Sequence, residues 1–135
     1  MNKKILPLVA WATALTVVMG AMGAHALQTK LLPAQMNNYE TALRYQFFHL
    51  LALLITGLFS LHFSTFSFRW VTRFFIAGIL LFSGSIYLII ICKYMQVEFP
   101  RLLVLLTPLG GVCLTAGWIT LAITLQRAVT QKVEN

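Results

Sequence analysis

Charge is scarce in this chain, and acid is scarcer still. Only 10% of the 135 residues are charged: ten are Lys or Arg, and the three acids are Glu40, Glu98 and Glu134. Against 59% hydrophobic residues and a mean hydropathy of +0.84, that leaves too little polar surface to coat a water-soluble globule. Cysteine is limited to Cys92 and Cys113. Cys92 falls at a predicted membrane edge and Cys113 twelve residues inside Arg101, about 18 Å deep, so the two are not placed to form a disulfide. There is no CxxC pair, no metal-ligand cluster and no nucleophile, base and acid set, which argues against an enzyme. There is no internal repeat, low-complexity tract or linker, so the chain reads as one domain, 1–135.

Four long apolar runs are present instead, at residues 5–27, 46–68, 74–92 and 102–125. None contains Asp, Glu, Lys or Arg. Each approaches or exceeds the ~20 residues an α-helix needs to cross ~30 Å of hydrocarbon, and burying a charge there costs several kcal/mol. A membrane barrel would alternate apolar and polar residues in segments of ~10, unlike these uniformly apolar runs. The predicted fold is all-α, an antiparallel four-helix transmembrane bundle. The net charge of +7 then needs no nucleic acid, because basic residues at membrane edges face anionic headgroups.

Positive charges set an orientation. Lys3, Lys4, Arg69, Arg73, Arg127 and Lys132 fall on one side, and Lys30, Arg44, Lys93 and Arg101 on the other. The excess on the first side predicts that both termini are cytoplasmic. A competing reading takes the basic start, the apolar stretch and Ala24-His25-Ala26 as a cleavable signal peptide. The run is longer than the usual ~7–15 residues of a signal core, which favours a retained first helix.

Residues 69–73 alone separate the second and third runs and predict a tight hairpin with Trp70 in the interfacial belt. In the longer first connection, Asn37 with Glu40 three residues on reads as a helix N-terminus, and Glu40 and Arg44 as a surface pair. His62 reads as interfacial. Close helix packing is expected at the small residues Gly20 and Ala24 on the first helix, Gly78 and Gly84 on the third, and Gly110, Gly111 and Gly117 on the fourth. Pro108 should kink the fourth helix near Gly110-Gly111.

Polar residues inside the runs are the candidates for function. Counted inward from Lys30, Arg44, Lys93 and Arg101, the residues His25, His49, Tyr87 and Thr107 all lie ~8–9 Å below one edge, which predicts a single polar layer. Tyr45, His49, Ala52, Thr56 and Ser60 form a stripe on the second helix, and Ser83 and Ser85 lie deeper on the third. Such a layer serves three readings. The first is a structural hydrogen-bond cluster in a membrane component, tied to a membrane-protein partner or a second copy. The second is a small-solute or proton pathway that uses the histidines. The third is a haem between His25 and His49; no other cofactor and no metal is implied. The absence of an intramembrane carboxylate argues against an ion-coupled exporter.

Several segments resemble one family in order along the chain: Gly20-Ala21-Met22-Gly23-Ala24-His25-Ala26-Leu27; Thr41-Ala42 with Tyr45-Gln46 and His49; Leu81-Phe82-Ser83-Gly84-Ser85 with Tyr87; Thr107-Pro108-Leu109-Gly110-Gly111; and Gly117-Trp118. They are similar to the signature of the YgdD/YwdK-like family, small bacterial inner-membrane proteins with a eukaryotic relative. The resemblance implies a retained first helix, four spans, an inner-membrane location and no assigned reaction. It also adds Gln46 to the layer of His25, Tyr45, His49, Ser83, Ser85 and Tyr87. Leu50, where a small residue is expected, and Thr107 depart from the family pattern.

Overall fold

The computed structural model describes residues 5–63, 66–98 and 100–134, with the side chains of 132–134 left undescribed. The charges at Lys3 and Lys4, and the side chains of Lys132 and Glu134, therefore lie outside the described residues. Helices account for almost all of it: α1 (Ile5–Met22), α2 (Pro33–His62), α3 (Arg69–Tyr94) and α4 (Arg101–Glu134). A π-helical turn, Gly23–Leu27, extends α1 to the end of the first predicted run. All four helices are long and apolar enough to cross a membrane, and no strand occurs among the described residues.

The α2 helix begins thirteen residues before the second apolar run. Pro33 occupies the first turn, where a missing N–H costs nothing, and the Leu32 N–H donates to Gln35 Oε1 at 2.9 Å. This start replaces the one expected at Asn37, whose carbonyl instead accepts from the Thr41 hydroxyl one turn on. Glu40 and Arg44 are both exposed on α2 and form no ion pair with each other. The connection between α2 and α3 also differs from expectation. Residues 69–73 are the first turns of α3 and not a loop between the two helices. Phe68 stands at the N-cap of α3: its carbonyl accepts from the Thr72 N–H at 3.1 Å and the Thr72 hydroxyl at 3.0 Å, and its ring is fully buried. Arg69 and Arg73 stay exposed on this first turn, with the Arg73 guanidinium 5.0 Å from the centre of the Trp70 ring. On α4, the helical assignment runs unbroken through Pro108.

Packing follows chain order, α1 on α2, α2 on α3 and α3 on α4. Within each pair the contacts run in opposite sequence directions, as an antiparallel arrangement requires. On α3 and α4, Gly110 meets Phe82, Gly78 meets Leu114 and Gly117 meets Phe75. On α1 and α2, Gly23 meets Tyr39, Gly20 meets Leu43 and Thr16 meets Gln46. The main core joins Val9, Leu50, Leu53, Phe68, Val71, Phe75, Leu114 and Leu121. The α1 helix fully buries only Val9 and Thr16 along its length, with Ile5 and Ala12 partly buried against the core.

Small residues set the closest approach. A Cβ on Gly110 would lie 2.7 Å from Phe82 Cα and 2.8 Å from the Leu81 carbonyl carbon, so α3 and α4 touch backbone to backbone there. Gly78 and Gly117 receive Leu114 and Phe75, and Gly20 faces Leu43 Cδ2 at 3.2 Å. Gly111 makes only an ordinary contact with Phe82. A Cβ added at Gly84 would meet nothing within 4 Å, so no neighbouring helix closes on this glycine as α3 does on Gly110. Ala24 is exposed, and Gly23 supplies the contact in its stead, continuing the four- and three-residue steps of the face that carries Thr16 and Gly20.

Candidate functional site

The predicted single layer resolves into separate pairs at different heights. Near one end, Tyr39 and Tyr87 place their rings 5.6 Å apart, and Ser83 donates to the Ala42 carbonyl at 2.8 Å. These contacts set Tyr87 and Ser83 level with residues 39–42 of α2. His49 lies a further seven to ten residues along α2, roughly 10–15 Å away at 1.5 Å per residue. Arg44 caused the misplacement. It does not end its helix, so depth counted from it does not compare with depth counted from Lys93.

His25 does not join the others. It is exposed on the π-turn, two residues beyond Gly23, which itself meets Tyr39. His25 and His49 are therefore separated by about 15 Å or more along the helix axes.

His49 is the most fully constrained polar group. It is 8% exposed, among the rings of Tyr45, Phe75 and Trp118 at centroid distances of 5.9, 5.7 and 6.1 Å. Its Nδ1 lies 2.7 Å from the Tyr45 carbonyl and its Nε2 3.1 Å from Trp118 Nε1. A carbonyl only accepts and an indole N–H only donates, so both bonds are satisfied by the neutral ring that carries its proton on Nδ1. That ring ties α2 to α4 and has no lone pair to spare for iron. With His25 so distant, the two histidines do not fit a haem.

Several of the remaining polar groups join two helices. Gln46 Nε2 donates to the Thr16 hydroxyl at 2.6 Å, and Tyr39 donates to the Met19 carbonyl at 2.6 Å; both hold α1 on α2. Ser85 and Thr107 place their hydroxyls 2.7 Å apart between α3 and α4. Tyr45 stacks on Phe82 at 4.4 Å and is 41% exposed. The lower part of the stripe turns inward on its own helix, with Thr56 bonded to the Ala52 carbonyl and Ser60 to that of Gly57. Tyr87 is the exception, because its buried hydroxyl has no hydrogen-bond partner.

Sequence reasoning missed Thr16, Tyr39 and Trp118 as partners. Trp118 stood in the family signature but was not linked to His49, since nothing in the sequence gives the register between α2 and α4. No group of three or more metal-ligating side chains occurs among the described residues.

Comparison with known proteins agrees with this architecture. The model of a family described as a protein of unknown function, DUF423, matches residues 19–111. A UPF0382 membrane protein of Staphylococcus haemolyticus is 34% identical over 122 residues, covering 90% of this chain and 94% of its own. One from Haemophilus influenzae is 37% identical over 122 residues, covering 90% and 93%. The UPF0382 inner membrane protein YgdD of Escherichia coli is 36% identical over 102 residues, covering 76% and 73%. No solved structure matches. A chain of four membrane-capable helices, matched by that family model over most of its length and by these relatives over more, belongs to the DUF423 family of UPF0382 membrane proteins.

Proposed function

We propose that this protein is a structural or assembly component of the bacterial inner membrane, with both termini in the cytoplasm, and neither an enzyme nor a conduit. The observation that carries this reading is the use made of the buried polar groups. Thr16, His49, Thr56, Thr72, Ser83 and Ser85 each spend their hydrogen bonds on a neighbouring helix or on their own helix backbone. A pathway needs polar groups in sequence from edge to edge, whereas these pairs sit at separate heights with apolar rings between them. The inner-membrane location is supported by the name of the Escherichia coli relative, and the orientation by the positive charges of the sequence, six (Lys3, Lys4, Arg69, Arg73, Arg127 and Lys132) on one side against four (Lys30, Arg44, Lys93 and Arg101) on the other.

The test uses His49→Ala in proteoliposomes with an internal pH-sensitive dye. The structural reading expects wild type to pass protons no faster than empty vesicles, and His49→Ala to lower thermal stability without changing that rate. Wild-type flux that His49→Ala abolishes in a folded, inserted chain would overturn it.

A further inference from the structure

An apolar cleft of about 600 Å³ opens between the end of α1, the start of α2 and the end of α3. Its walls include Met22, Tyr39, Tyr87, Ile90 and Tyr94, and among the described residues Lys30 is the only charged one that lines it. The volume lies within the ~300–1,000 Å³ of ordinary small-molecule sites, and the lining, apolar with a few polar groups, has their composition.

Two features of the lining select an occupant. Lys30 is exposed and forms no ion pair with another described residue, which leaves a cation at the helix end where headgroups lie. Tyr87 lies deeper, six residues inside Lys93 or about 9 Å. Its hydroxyl is buried and unpartnered, while the adjacent Tyr39 hydroxyl is already committed to Met19. An unmet O–H in hydrocarbon is costly, so a ligand that brings an acceptor to that depth gains by meeting it.

We propose that this cleft binds one anionic glycerophospholipid. Its phosphate pairs with Lys30, one acyl chain lies along Met22 and Ile90, and the Tyr87 side chain turns on binding so that its hydroxyl, buried in this structure, donates to an ester carbonyl. A zwitterionic lipid lacks the net charge for Lys30, and a free fatty acid lacks a carbonyl below its charged head.

The experiment is native mass spectrometry and thermal melting of the full chain in detergent with phosphatidylglycerol, phosphatidylcholine or oleate added. The expected result is a single phosphatidylglycerol retained at least threefold more than either competitor, with retention cut by Lys30→Gln, whose side chain is on the surface. Tyr87→Phe separates binding from folding: without lipid it should melt no lower than wild type, since it removes an unmet O–H, yet its melting shift with phosphatidylglycerol should shrink. Equal retention of phosphatidylcholine or oleate overturns the proposal, as does a Tyr87→Phe chain that keeps the full lipid-induced shift.

Discussion

Replacing Gly110 with alanine inserts one methyl group where α4 crosses α3, and the atoms it meets are backbone. The new Cβ would lie 2.7 Å from Phe82 Cα and 2.8 Å from the Leu81 carbonyl carbon, about 1 Å inside the separation at which carbon atoms attract. No rotamer change relieves a clash with backbone, so the helices must part. A gap of 0.5–1 Å forfeits roughly a quarter to a half of each contact's dispersion energy along the seam, and overpacking of this kind costs about 1–3 kcal/mol. Gly84 is the control on the same pair of helices, because an added Cβ meets nothing within 4 Å. There, alanine's better helix propensity should leave stability unchanged or raise it by up to about 1 kcal/mol. The assay is unfolding in mixed micelles of rising sodium dodecyl sulfate fraction, followed by circular dichroism. Gly110→Ala should unfold at a clearly lower fraction than wild type and Gly84→Ala at the same or a higher one. Equal midpoints for the two variants would refute the packing argument.

The Ser85 and Thr107 hydroxyls bond across α3 and α4, so a double-mutant cycle of Ser85→Ala and Thr107→Val in the same unfolding assay should return a coupling of about 0.6 kcal/mol and at most ~2. A coupling of zero would remove that bond from the account. Gln96, in the turn between α3 and α4, has φ 57°, a left-handed conformation that costs a residue with a Cβ about 1–2 kcal/mol. Gln96→Gly should therefore raise stability by up to about 1 kcal/mol once the greater freedom of the unfolded chain is set against the relief. A loss of stability would contradict this.

The fold was legible in the sequence because hydrocarbon imposes a simple rule. Four runs free of charge had to become four helices, and Ile5–Leu27 does so from end to end. Helix ends were less legible where a charge was taken as a boundary. Arg69 and Arg73 begin α3 as exposed first-turn residues, and Arg44 sits well inside α2, because an exposed side chain at a helix surface need not end the helix. The candidate residues stood out in the sequence because polar groups in apolar runs are few. Their grouping was wrong. Which residue faces which depends on interhelical register, and that register is set by Gly110 on Phe82, Gly78 on Leu114 and Tyr39 on Met19, none of which hydropathy reports. His25 and His49 looked equivalent when counted from the nearest cation. Packing sends one to the surface and holds the other between two helices.

The central claim is that His49 is a helix-tying residue with both ring nitrogens engaged, and solid-state nitrogen NMR of histidine-labelled protein in lipid bilayers at pH 7 tests it most directly. His49→Gln identifies the signal. The account predicts a neutral ring protonated at Nδ1 and bare at Nε2, with Nε2 coupled to the Trp118 indole proton. A ring protonated at Nε2, or at both nitrogens, would contradict it.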